Sequence, residues 1–340
     1  MTAPADLARL LDVLEAFSRQ SIVVLGDLVA DEYVSGEISR VSREAPVLIL
    51  RHRQTELVPG GGANAVNNLA ALGAMVLPVG AVGDDAAGNG LLAYFKAKGV
   101  NLGGVRRVRG WTTPTKTRYL AGWTHTTRQQ VLRVDREPQS PLPVAVRKAI
   151  QKKAQVLSRR ADAALVSDYG CGAVSPAAVR GLRARLVTLD SRYGLMQYRG
   201  AGVHVATPNE PELEAIYHTR IGTDREKLET LGARTARAMK LAALMVTRGK
   251  DGMAVFERGK RPQHVPIYGS NAAADVTGAG DTVIAVVTLA LAAGATPLEA
   301  AHLASYAGGI VVMKRGTATV SREELAGAIR TDLTAASPPR

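Results

Sequence analysis

The segment Asp275-Val-Thr-Gly-Ala-Gly-Asp281, followed at once by an apolar run over residues 282–293, constrains this chain more than any other stretch. Its three consecutive small residues let the backbone turn tightly enough for successive N–H groups to converge on one point. The run behind them, rich in Val, Ala and Leu, reads as a buried helix whose N-terminus brings its partial positive charge to that point. Asp281, at the junction, sets a carboxylate beside an anion-binding nest. A base next to an anion hole suits phosphoryl transfer to a hydroxyl, because the base takes the proton and the amides hold charge on the moving phosphate. The same residues also describe a Gly-rich turn whose Asp merely caps a helix, and from this segment alone both readings stand. The apolar run is too short to span a bilayer, which needs about 20 residues.

A second marker is Pro59-Gly-Gly-Gly-Ala-Asn64-Ala-Val-Asn67-Asn68-Leu-Ala-Ala-Leu-Gly73. A Gly-rich turn opens a helix whose start carries Asn64, Asn67 and Asn68, and Asn side chains both donate and accept, which suits a polyol. Gly60-x-Gly62-x-x-Ala65 also satisfies a loose dinucleotide fingerprint. That reading is set aside, because no clean strand leads into it.

Together the two segments resemble the signatures of ribokinase-like (phosphofructokinase-B type) carbohydrate kinases, in that family's order. The resemblance implies an α/β fold: a three-layer α/β/α arrangement around a mostly parallel sheet, with a small β-sheet lid. It implies one domain over residues 1–334, lid strands drawn from about 33–58 and 112–135, and a frayed tail over 335–340. Asp281 would be the general base, and the amides of Gly278, Ala279 and Gly280 the anion hole. Gly61 and Gly62 would form the hinge at the sugar site, with Asp27, Asp31, Asn64 and Asp168 as sugar ligands.

Within the family, residues 39–47, 129–135, 167–170 and 307–317 resemble the kinases that phosphorylate D-glycero-D-manno-heptose 7-phosphate on its anomeric oxygen. So does Gly26-Asp27 with Asp31, and the likeness runs from about Ser21 to Leu325. A substrate that carries its own phosphate needs cations near the lid. Arg40, Arg43, Lys116, Arg118 and Arg133 are the candidates, and each is equally explicable as an exposed salt bridge. Two departures stand out: Cys171 and Arg192 occupy positions where those kinases carry Lys. Arg192 would offer a forked rather than a point cation.

On the nucleotide side, Thr207-Pro-Asn209-Glu-Pro-Glu212 resembles the family's N-x-x-E motif, in which Asn209 and Glu212 hold Mg²⁺ through water. It also reads as a capping box at a helix start. Thr247-Arg248-Gly249 with Gly252 resembles the nucleotide-phosphate loop, joined by Thr277, Gly278 and Gly280. Ala307-Gly308 falls where the family's adenine slot lies, although a small-residue packing face explains it as well. ATP and Mg²⁺ are the implied co-substrate and metal. Other readings are a kinase for ribose, fructose or a fructose phosphate, and a non-catalytic nucleotide or sugar sensor. A neutral sugar needs few lid cations, and an intact Asp281 with its glycines speaks against the sensor.

The composition fits a cytoplasmic enzyme. Of 340 residues, 46% are hydrophobic, enough for a sizeable core. Cys171 is the only cysteine, so neither a disulfide framework nor a Cys-based metal site is available. The first ten residues lack the charged and apolar segments of a secretory signal. The net charge of +13 invites a nucleic-acid or membrane reading. Aromatics amount to only 4%, however, and the densest basic groups (51–53, 106–109 and 152–160) read as solvated faces. The expected partners are therefore a phosphosugar and ATP, with no nucleic acid and no membrane. The resemblance adds a homodimer formed through the lid. The chain is expected to be a stand-alone kinase without a nucleotidyltransferase domain.

Along the chain, strands are expected at 21–26, 77–82, 163–167, 185–190, 204–206 and 243–247, and helices at 63–72, 86–98 and 282–293. Such alternation implies a mostly parallel sheet covered on both faces. Residues 33–58 and 112–135 instead alternate polar and apolar side chains, as half-exposed antiparallel strands do.

Overall fold

The structure, a computed structural model, describes residues 6–123, 128–269 and 274–336. Helix α1 (Leu7–Glu15) leads into β1 (Ser21–Gly26), and two long strands follow, β2 (Leu28–Val41) and β3 (Leu48–Gly61). Next come α2 (Gly62–Ala71), β4 (Met75–Gly83), α3 (Ala86–Ala97) and β5 (Gly104–Val108). A second excursion supplies β6 (Thr115–Gly122) and β7 (Gln129–Arg136). The chain then runs through α4 (Val144–Ser158), β8 (Ala163–Asp168), α5 (Pro176–Arg180), β9 (Leu186–Ser191) and β10 (Val205–Ala206). Helices α6 (Glu210–Tyr217) and α7 (Arg225–Met239) precede β11 (Ala243–Thr247), β12 (Met253–Glu257) and β13 (Gln263–Val265). Helices α8 (Ala279–Ala292), α9 (Pro297–Val311) and α10 (Arg322–Ala336) complete the order.

The main sheet has nine strands in the order β13-β12-β11-β10-β9-β8-β1-β4-β5. It is parallel from β11 to β5, and β12 and β13 are added antiparallel at one edge. Strand β1 is buried along its whole length, so its side chains alternate between two apolar layers. Ile22 and Val24 face a core shared with α1, α2, α8, α9 and α10, while Val23 and Leu25 face one shared with α4 and α7. That is the three-layer arrangement. The strands β5, β12 and β13 were not expected from the sequence: each is at most five residues long, and β5 and β13 are half polar or solvent-facing, whereas β12 is a short buried apolar run.

The second sheet has the order β3-β2-β6-β7. Its outer pairs are antiparallel, as expected, but the central pair β2·β6 is parallel. Both strands leave the carboxyl edge of the main sheet, β2 directly after β1 and β6 after β5, so they set out in the same direction. A strand does run into the Gly60–Gly62 turn after all; it is β3 of this second sheet, not a strand of a parallel βαβ unit. Helix α8 begins three residues earlier than the apolar run, at Ala279. Residues 335 and 336 are still helical in α10, and the remainder of the proposed tail lies outside the described residues. Among the described residues no helix is long and apolar enough to cross a membrane.

Leu25 is fully buried on the central strand. Leu25→Ala is expected to cost about 2–5 kcal/mol of stability, read from the urea unfolding midpoint.

Candidate functional site

Helix α8 starts at Gly278, whose φ of 78° lies in the left-handed region. A Cβ there would also come within 2.6 Å of Asn64 Nδ2, so the position needs Gly twice over. Asp281 therefore sits in the first turn of α8 and not at its cap, so the N-cap reading of the segment does not hold. Its carboxylate is almost wholly buried. Asn64 Nδ2 donates to Oδ2 at 3.0 Å, and the Tyr169 hydroxyl donates to Oδ1 at 2.8 Å. Burial pushes the carboxyl up to about 6, against the opposing pull of these two hydrogen bonds. A carboxylate in this state remains ionised at neutral pH yet is a stronger base than an exposed Asp. The amide of Ala279 donates back to Val276 O at 3.3 Å, so the expected three-amide hole reduces to fewer groups. A Cβ on Gly280 would meet no atom within 4 Å; its backbone faces open space at the helix N-terminus.

Asn64 is fully buried and committed to this base. Its amide also reaches Gly278 O at 3.4 Å, and its Oδ1 accepts from Asn68 Nδ2 at 3.1 Å. Asn68 in turn accepts from the Thr282 hydroxyl at 3.0 Å. Of the asparagines read from the sequence as polyol ligands, Asn64 and Asn68 thus join α2 to α8, while Asn67 accepts from Tyr94 OH at 3.2 Å and Lys98 Nζ at 2.9 Å, on the side of α3.

Asp27 also differs from expectation. Its carboxylate accepts the backbone N–H groups of Tyr169, Cys171 and Ala173 at 2.9, 3.0 and 2.9 Å. It is buried and pushed up to about 6 by that burial. Asp168 accepts from Gly170 N, Ser191 Oγ and Tyr198 OH. Both residues brace the loop after β8; Asp27 is buried there, and Asp168 is half-buried. Gly61 (φ 54°) and Gly62 pack where a Cβ would lie 2.9 Å from Val29 Cγ2 and from Asp27 O respectively. Asp31 does reach the site side: Arg118 Nη1 pairs with its Oδ1 at 2.6 Å, and both side chains are nearly buried. A Cβ on Gly60 would come 2.5 Å from its Oδ2.

Beneath the lid lies a small cleft of about 90 Å³ lined by Lys116, Arg133, Arg136, Arg192, Tyr169 and Cys171, among others. Lys116 Nζ lies 5.0 Å from the centre of the Tyr169 ring, and burial holds its pKa below the usual lysine value. Arg133 grips Asp135 through Nε at 2.7 Å and Nη2 at 2.5 Å. Cys171 adds no charge to the cleft, since burial pushes its thiol up to about 12. Arg40 and Arg43 are not part of it. Both are exposed at the far end of the β2–β3 hairpin, and Arg40 lies nine residues beyond Asp31, roughly 30 Å at the rise of a strand.

On the other side of Asp281 a cleft of about 190 Å³ opens among α8, α9 and β11–β12. Thr247, Gly249, Gly252, Ala279, Gly280 and Gly308 line it, with Val276, Val283 and Val312. Arg248 does not: its guanidinium pairs with Glu210 at 2.8 Å. Ala307 does not either, being fully buried in the core, and the open surface belongs to its neighbour Gly308. Thr277 donates its N–H to Asp275, whose other oxygen accepts from Gly316 N, so Asp275 ties the loop before α8 to the chain after α9. Asn209 and Glu212 form the full capping box of α6, with reciprocal bonds of 2.8 and 2.9 Å. Burial raises the Glu212 carboxyl. Asp190, at the end of β9, is raised well above the usual range by burial and by the carboxylates of Glu212, Asp281 and Asp168.

Two site residues escaped the sequence reading. Tyr169 carries no spacing signal, although it falls just after a strand in the quoted 167–170 segment. Asp190 ends a strand at the same sheet edge as Asp281, a placement that only the strand order reveals.

A profile described as pfkB family carbohydrate kinase matches residues 19–324. Bifunctional protein HldE of Desulfatibacillum aliphaticivorans is 38% identical over 315 residues, covering 91% of this chain and 63% of that protein. Bifunctional protein HldE of Geobacter sulfurreducens is 38% identical over 314 residues, with 90% and 62% covered. The chain thus spans less than two-thirds of the length of these relatives. Among solved structures, Arabidopsis thaliana ribokinase complexed with ribose and ATP aligns with a TM-score of 0.69 at 19% identity, over 92% of this chain and 99% of that one. Phosphofructokinase-2 from Escherichia coli in complex with substrates and products gives 0.75 at 17% identity, over 92% and 99%. The fold is ribokinase-like.

Asp27→Ala is expected to lower stability by on the order of 2 kcal/mol, since three backbone amides lose their acceptor, that of Ala173 in a buried setting. Thermal unfolding checks this; an unchanged melting temperature with only a raised sugar KM would restore Asp27 as a sugar ligand.

Proposed function

The chain belongs to the pfkB family of carbohydrate kinases, and from that premise we propose that it transfers the γ-phosphoryl group of ATP to the anomeric hydroxyl of D-glycero-D-manno-heptose 7-phosphate, giving the 1,7-bisphosphate. The observation that carries the reading is the place of Asp281. It lies in the first turn of α8, whose start lines the apolar cleft through Ala279 and Gly280, and it feels the charge of Lys116 in the lid cleft. A base between an apolar cleft and a cation-lined one is an arrangement that suits a nucleotide on one side and a phosphorylated acceptor on the other.

In this reading Asp281 takes the proton of the acceptor hydroxyl. The first-turn amides and the dipole of α8 stabilise charge on the phosphoryl group in transit. Asp31, fixed by Arg118, presents its second oxygen to sugar hydroxyls. Lys116, Arg133 and Arg192, which line the lid cleft together, hold the substrate's own phosphate. The apolar cleft suits an adenine ring, with Gly308 leaving room along α9. Thr247, Gly249 and Gly252 lie at its phosphate end.

For Mg²⁺ the donor set fits a weak protein contribution. Among the described residues no group of three or more His, Cys, Asp or Glu side chains forms a metal site. Magnesium is commonly held by one or two carboxylates together with substrate phosphates. Asp190 and Glu212 are the residues that would hold it, and Asn209, whose side chain caps α6, would act only through water. When bound, the ion neutralises charge on the transferring phosphate.

The lid also supports a homodimer. Val131, Leu132 and Val134 on β7, with Val41 and Leu48 on the β2–β3 hairpin, are exposed apolar side chains on one small sheet. Patches of that kind mark interaction surfaces.

With Mg²⁺ and ATP, the protein is expected to turn over heptose 7-phosphate in clear preference to ribose, fructose or fructose 6-phosphate, measured as ADP release. Turnover of a neutral sugar instead would discard the phosphosugar reading. Asp281→Asn should keep the fold while lowering kcat by roughly 10²-fold or more. Because the base works only when ionised, wild-type activity should decline about tenfold per pH unit below about 6 and level off above it, in a pH–rate profile.

A further inference from the structure

Resting on the kinase reading above, we propose that Tyr169 is a positioning residue for the general base: its hydroxyl and the amide of Asn64 together hold Asp281 ionised and aimed at the acceptor hydroxyl. The two donors divide the carboxylate between them, Tyr169 on Oδ1 at 2.8 Å and Asn64 on Oδ2 at 3.0 Å. A carboxylate so gripped cannot rotate about its final bond without losing one of them, and its remaining lone pairs have fixed directions.

The rest of the site is arranged to keep that hydroxyl in place. Asp27 binds the N–H of Tyr169 itself and those of Cys171 and Ala173, and Asp168 binds that of Gly170. Two carboxylates thus fix the loop by its backbone. The ring is bounded by Gly61, where a Cβ would lie 3.2 Å from Tyr169 Cδ2, so the absence of a side chain there is what admits the ring. Lys116 of the lid lies over the same ring. The phenol therefore has the lid cation on its ring and the base at its hydroxyl. Burial and the adjoining Asp281 carboxylate keep the phenol protonated, so it acts as a donor throughout the working pH range.

Charge couples Asp281 to several elements: its carboxylate helps raise Asp190 on β9. Asp31 on β2 favours the protonation of Asp281 itself and Lys116 on β6 opposes it. Tyr169 and Asn64 are the groups that do so by hydrogen bonding, and only Tyr169 can lose its donor by removal of one atom with the ring retained.

The test is Tyr169→Phe. Expected are a fall in kcat of about tenfold with the KM for ATP unchanged, and an upward shift of the acid limb of the pH–rate profile by about one unit. The same shift should appear in the ¹³C titration of the Asp281 carboxyl, assigned by comparison with Asp281→Asn. That titration needs no substrate. Should the wild-type protein turn over no sugar, the kinase reading fails while the titration still decides the role of Tyr169. Should the Phe variant not fold, 3,5-difluorotyrosine at position 169 keeps the shape and strengthens the donor, and the titration should then move downward. Wild-type titration curves in the variant, with only the melting temperature lowered, would overturn the proposal and leave Tyr169 as a packing residue.

Discussion

Helices α2 and α8 meet through a run of four polar side chains, Thr282, Asn68, Asn64 and Asp281, each hydrogen-bonded to the next. All four are buried, and a buried carboxylate is costly unless donors surround it. The requirement shapes what lies around it. Position 278 must be Gly, because a Cβ there would strike the Asn64 amide, and the loop after β8 must come close enough for Tyr169 to supply the second donor. The environment of the Asp281 carboxylate is therefore a product of three segments far apart in sequence. Its raised proton affinity follows from burial and is moderated by the two donors.

The same logic explains why residues that look like ligands in the sequence serve as braces. Asp27 and Asp168 stand at the carboxyl ends of β1 and β8, which is where ligands gather in open α/β sheets. Loops leave the sheet at the same edge, and their amides need acceptors. Asp27 satisfies three of them, and Asp168 satisfies one amide together with the hydroxyls of Ser191 and Tyr198. Asp31, one turn of chain beyond, belongs to the lid strand β2 and carries Arg118 into the site instead.

The lid links charge to chemistry. Lys116 and Arg118 lie on β6, with Arg133 opposite Arg118 on β7. Because β6 pairs parallel with β2, Lys116 stands in register with Asp31, and the pair reaches Asp281 from the same side. Arg40 and Arg43 lie too far along the hairpin to join them. Strand geometry, not charge, separates the two groups of cations.

The fold was legible because its signals are local and periodic. The all-apolar run of β1, the alternation over 163–247 and the Gly-rich start of α8 each follow from side-chain pattern and backbone freedom, which neighbouring residues alone fix. The place of Asp281 at the start of a buried helix was legible for the same reason: three small residues before an apolar helix leave few structures open. What the sequence could not decide was which polar groups face one another. Asn64 turned from a sugar ligand into a partner of the base, Arg248 toward Glu210, and Ala307 into the core, while Tyr169 and Asp190 entered the site unannounced. Those outcomes depend on strand order and on the crossing of helices more than 200 residues apart. Hydrogen bonds form between groups that the tertiary fold brings within about 3 Å, and no local pattern encodes that distance.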